Sequence, residues 1–182
     1  SCVIDNEATH HSTGNMTAKH QLRGLHSIDH IDFARAPCPA VLLAISGAPA
    51  DDVLPAAQDA IKKVRGQERE VADVRNLTVL EMDYAFTNLG FFMSCVGDNR
   101  NKSLTLEDWA KRPRSDGIFY AVETCASNET GATQSHVVAV LGRQMVCCQN
   151  RDVIEVASAS IAKHLVGQVF AITPMADARW SA

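Results

Sequence analysis

No stretch of this chain approaches the roughly 20 consecutive apolar residues needed for a membrane-spanning helix. Aromatic residues make up only 5% of the sequence, too few to build platforms for stacking nucleic-acid bases. The 17 Lys and Arg are outnumbered by 21 Asp and Glu, leaving a net charge of −4. Those basic residues are scattered, and Arg112 to Arg114 is the one tight group, so the footprint of a nucleic-acid binder is missing. Phosphate-binding glycine motifs are missing too. Ser46-Gly47-Ala48-Pro49-Ala50-Asp51-Asp52 joins two predicted elements without a GxGxxG or P-loop pattern, and its two aspartates repel an anion. The loop at Asp98, Asn99 and Asn101 lacks the sixth-position Gly and terminal Glu of an EF-hand. No low-complexity segment or long linker divides the chain. These absences set aside membrane and nucleic-acid partners.

What remains is a composition of 46% hydrophobic and 21% charged residues over 182 positions, ordinary for a globular chain. The six cysteines are Cys2, Cys38, Cys95, Cys125, Cys147 and Cys148. Four sit in apolar, strand-like segments, and the adjacent Cys147 and Cys148 point to opposite faces of a strand and cannot easily pair. Buried free thiols in a reducing compartment follow, so a cytoplasmic location is expected. Four N-x-S/T sequons, at Asn15, Asn76, Asn101 and Asn128, keep secretion open.

The clearest local pattern spans 134–174. His136 to Leu141 is a β-branched run that suits a buried strand, and Met145 to Cys148 is a second apolar run. Asn150 is placed to cap a helix. Ile154, Ala157, Ile161 and Leu165 follow at helical spacing, and Gly167 suits the left-handed position beyond its end. Val169 to Ile172 reads as another strand. Upstream, Pro37-Cys38-Pro39 reads as an extended connector, Ala40 to Ser46 as a buried strand, and Asp51 to Val64 as a helix with Pro55 in its first turn. Leu77 to Met82 and Phe91 to Val96 read as strands. Thr105 and Asp108 imitate a capping box for a short helix ended by Pro113, and Ile118 to Cys125 reads as a strand.

Residues 52–63 echo residues 152–163, with Asp, Val, Ala, Ile and Lys identical at five of twelve positions. Gly66-Gln67 and Gly167-Gln168 close both segments. Coincidence between two amphipathic helices is one reading; a duplicated β-α-β unit is the sharper one. The expected fold is an α+β or α/β sandwich, a mixed sheet with helices packed on one face. An N-terminal arm and short helix occupy 1–36. A single α/β domain occupies 37–182, with pseudo-symmetric halves at about 37–96 and 117–174.

The densest polar group is His20, His26, Asp29, His30 and Asp32. On a helix, His26 and His30 share a face with Asp29 between them, an acceptable set for a divalent metal. A strand there would break the site, and the catalytic Glu of HxxxH metalloproteases is missing. His10-His11 falls in the arm and is read as solvent-exposed. A second candidate is Cys125, which precedes the polar 126–134 loop with His136 beyond it. Across a hairpin the two can form a thiolate–imidazolium pair.

Two functional expectations follow. The first is a small-molecule enzyme of hydrolase or lyase type, using His26, His30, Cys125 and His136 in a cleft between halves or subunits. The second is a non-catalytic homo-oligomer that binds a ligand or builds an assembly. Both carry a small-molecule ligand and self-association as expectations.

Overall fold

The computed structural model describes residues 24–29, 33, 35–66, 74–126 and 135–175. Most of the expected N-terminal arm and short helix, and residues 127–134 of the polar loop, lie outside them.

Ten consecutive buried residues, Pro37–Ser46, form helix α1 where a strand was expected. Because every face is buried, the sequence carries no apolar periodicity, and a continuous apolar run cannot by itself distinguish strand from helix. The prolines decide it. Pro37 occupies the first helical position, where no N–H is needed, and Gly47 ends the helix in the left-handed region (φ 66°) while its N–H donates to the Leu43 carbonyl.

Helix α2, Ala50–Arg65, forms as expected, with Asp51 and Asp52 at its positive end and Lys62, Lys63 and Arg65 at its negative end. Pro55 sits one residue further into the helix than expected, on the exposed face. Helix α3, Val79–Asn88, replaces the strand expected over 77–82. Thr78 and Glu81 form a full capping box: the Thr78 hydroxyl accepts from the Glu81 N–H (3.2 Å), and the Glu81 carboxylate accepts from the Thr78 N–H (3.3 Å). Strand β1, Phe91–Asp98, and the short helix α4, Leu106–Lys111, follow, the latter capped by Thr105 as predicted.

The remaining strands are β2 (Phe119–Cys125), β3 (Ser135–Leu141), β4 (Gln144–Val146), β5 (Ile154–Glu155) and β6 (Leu165–Pro174). They join β1 in one six-stranded sheet of order β1-β6-β2-β3-β4-β5. Every pairing is antiparallel, so the fold is α+β and the expected mixed sheet resolves to a single orientation.

The helix expected over 152–165 does not form; β5, a 3-10 turn at Val156–Ser158 and further turns stand in its place. Its carbonyls serve other partners: Ala162 and His164 accept from the N–H groups of Glu107 and Leu106 (3.0 and 2.9 Å) at the start of α4. In an α-helix over 152–165 these carbonyls would belong to the last turn and lack partners of their own; here they close the start of α4. The two echoing segments therefore take different structures, 50–65 helical and 152–163 not. Gly167 lies inside β6 rather than at a helix end.

Strand alternation divides the core between the two sheet faces. Phe119, Ala121, Ala139, Phe170 and Ile172 pack with α1, α2 and α3. Tyr120, Val122, Val138, Val140 and Val169 pack under α4 and the 156–162 segment. The three longer helices thus share one face, and α4 covers the other.

Candidate functional site

The helical layer does not close completely on its sheet face. A cleft of about 250 Å³ remains between the start of α1, the 76–82 segment and strands β1, β2, β3 and β6. Its walls are mostly apolar: Pro37, Leu77, Val79, Met82, Met93, Ala121, Val137 and Phe170. Its polar lining is Cys38, Asn76, Glu123, Ser135 and His136. A concave apolar space with a few convergent polar groups is the usual form of a small-molecule site.

Cys38 is the second residue of α1, beside the positive end of that helix dipole. Its sulfur accepts from the Leu77 N–H at 3.3 Å, with the Leu77 carbonyl 4.0 Å away. Burial pushes the thiol up to about 11, against the Leu77 hydrogen bond, and the nearby Glu81 and Cys148 add to the rise. At neutral pH Cys38 is a protonated thiol.

Glu123 owes its place to an irregularity in the sheet. Between Val122 and Thr124 the β2–β6 register slips by one residue, and Gly167 sits across from Glu123. A Cβ at Gly167 would stand 3.0 Å from Glu123 Cδ and closer still to Oε1, so only glycine lets the carboxylate lie over β6. No hydrogen bond or ion pair engages this carboxylate among the described residues.

His136, the second residue of β3, is half-buried, and its carbonyl accepts from the Thr124 hydroxyl at 3.4 Å. The residue borders both the cleft and a recess of about 10 Å³ on the other side, edged by Cys147, Cys148, Gln149 and Ile161. His164 lies near enough to feel it. Burial, and then the charge of His136, hold the His164 imidazole below its ordinary value, and its Nδ1 is buried without a hydrogen-bond partner.

No known protein family matches this chain, and no curated protein resembles it.

The expected site residues are dispersed. Cys125 pairs across the strands with Ser135, and His136 pairs with Thr124. Neighbouring positions on a strand face opposite ways, so this hairpin does not bring the Cys125 thiol to the His136 imidazole. Burial first, then Glu123, raises the Cys125 thiol, with a hydrogen bond to Ser135 opposing them. His26 is half-buried in a non-helical segment, where its N–H donates to the Ala44 carbonyl at 2.8 Å, and Asp29 is exposed. The shared helix face that the His26, Asp29, His30 metal set requires is not formed over 24–29. His30 itself lies outside the described residues, as do His10, His11, His20 and Asp32. Among the described residues, no three His, Cys, Asp or Glu side chains gather as a metal site.

Cys38 and Glu123 were missed in the sequence. The signal for Cys38 was present: Pro37 is a typical first residue of a helix, and a thiol just after it sits at a dipole's positive end. Glu123 carried no local signal, because its position depends on a glycine 44 residues away.

Proposed function

We propose that the chain is a hydrolase for a small, largely apolar acyl compound, working in the cleft between helices and sheet. The observation that carries this reading is a carboxylate without an ion pair among the described residues, Glu123, lining an apolar cleft on the same sheet face as Ala121. Glu123 is the proton acceptor. Water bonds to the acyl carbon as its proton passes to Glu123. The leaving group departs with that proton, which restores the carboxylate. The Cys38 thiol, protonated at neutral pH, takes no covalent part. The apolar walls suit an aliphatic or aromatic acyl group.

Hydrolysis of p-nitrophenyl esters with acyl chains of two to eight carbons tests the assignment. Glu123→Gln is expected to lose roughly a thousandfold or more in kcat/KM, and His136→Ala and Cys125→Ser to stay near wild type. Full activity in Glu123→Gln would overturn it.

A second reading, ligand binding without chemistry, is favoured by the buried, neutral thiol of Cys38 in the same cleft. Its outcome is wild-type protein that binds short acyl compounds and turns none over. Self-association draws support from exposed Val79, Leu80 and Tyr84 on α3 and Phe92 and Val96 on β1. Sedimentation at micromolar concentration tests it, a monomer being the contrary result. The free Cys38, Cys95, Cys125, Cys147 and Cys148 support a cytoplasmic setting. Exposed Asn76 and Asn101 are the features that a secreted protein would glycosylate.

A further inference from the structure

The tight basic group noted in the sequence lines a second cavity that the proposed hydrolase does not use. About 580 Å³ in volume, it lies between the loop after α4 and the turn joining β3 to β4. Lys111, Arg112, Arg114 and Arg143 line it against a single carboxylate, Asp116, giving four positive charges to one negative, or +3. The whole chain carries −4, so this concentration runs against the overall charge.

Arg114 organises the cavity. Its guanidinium lies 4.1 Å from the centroid of the Trp109 ring and 5.5 Å from that of Tyr120. One terminal nitrogen donates to the Trp109 and Arg112 carbonyls at 2.8 and 3.3 Å. The other donates to the Gly142 carbonyl, tying the two arginine-bearing loops together. The Nε–H is buried without a partner. All of its acceptors are backbone carbonyls, so its charge is held in place without being neutralised. Burial accordingly lowers its pKa, the direction expected of a cation lacking a counter-ion. Lys111 is engaged by Glu107 at 3.3 Å, but Arg112 and Arg143 pair with no carboxylate among the described residues.

We infer that this cavity binds the phosphate group of a small phosphorylated molecule. Guanidinium groups offer paired N–H donors that match phosphate oxygens, and Ser115 adds a hydroxyl to the same lining. The cations converge on one pocket instead of tracking along a surface, which favours a compact ligand over a nucleic-acid strand. The site is separate from Cys38, and the inference stands whether or not the hydrolase reading does.

The test is calorimetric titration of the full chain with sodium pyrophosphate, with sodium chloride at matched ionic strength as control. Pyrophosphate is expected to bind with a dissociation constant on the order of 0.1–1 mM. The double variant Arg112→Gln/Arg143→Gln, both positions exposed and checked for folding by circular dichroism, is expected to weaken binding at least tenfold. Arg114→Lys, which keeps the charge but loses the fork, is expected to weaken it as well. Cys38→Ser should bind like wild type. Pyrophosphate heat no greater than that of chloride, or undiminished binding by the double variant, would overturn the inference. So would a short single-stranded oligonucleotide that binds tenfold more tightly than pyrophosphate and loses that affinity in the double variant.

Discussion

Cys38 sits in surroundings that disfavour its anion, and this ties fold stability to alkaline pH. The thiol titrates near 11 in the folded chain and near 9 when solvated. Below about pH 9 both states hold the proton, and the full contribution to stability is present. Between 9 and 11 the unfolded chain releases the proton while the folded chain keeps it, so stability falls as pH rises. The difference amounts to roughly 2–3 kcal/mol once both states are ionised. Other cysteines contribute in the same direction, so the comparison that isolates Cys38 is wild type against Cys38→Ala. Urea unfolding at pH 8 and pH 10.5 should show wild type losing more stability than the variant across that interval. Equal losses would mean that Leu77 and the helix dipole already compensate burial. The same protonated thiol should alkylate slowly at pH 7 with iodoacetamide, speeding up about tenfold per pH unit towards 11.

Elements differ in how plainly the sequence announced them. Amphipathic α2 was legible because half its circumference meets water, and α4 because Thr105 caps it. Helix α1 was not, since ten buried residues erase the periodicity that distinguishes a helix, leaving only Pro37 and Gly47 as punctuation. At α3 the capping residues outranked the apolar run, because Thr78 and Glu81 satisfy two orphan donors that a strand would leave to a neighbour. The 152–165 segment had a helical pattern yet folds as β5 and turns, whose carbonyls meet the start of α4. The two threonine caps should therefore differ in weight. Thr105→Ala is expected to cost about 1 kcal/mol, the usual value of an N-cap. Thr78→Ala should cost more, roughly 2 kcal/mol, because its box also steadies Glu81. That carboxylate has no exposed surface and accepts from Arg65 at 2.9 Å. Burial raises its pKa, but Arg65 and Thr78 outweigh burial and hold it below the ordinary carboxylate range. Denaturant midpoints of the two single variants and the double variant check the ranking, and the costs should add, since the caps share no partner. A smaller loss at Thr78 would show that Glu81 holds its place without the cap.

At the scale of the molecule, one sheet serves two cores, and this decides how it should come apart. Strand β2 sends Phe119 and Ala121 towards the long helices and Tyr120 and Val122 towards α4; β6 divides likewise through Phe170 and Val169. Neither core can lose its partners without unpairing strands that the other needs. This division was readable as alternation along 118–125 and 136–141, whereas the cleft was not, because it depends on how far apart α1 and β3 stand. The expectation is a single cooperative transition. Trp109 fluorescence in a Trp180→Phe background reports the α4 core, and Cys38 alkylation reports the cleft core. Both should change at the same urea concentration. Alkylation of Cys38 at clearly lower urea would mean that α1 lifts from the sheet as a separate unit.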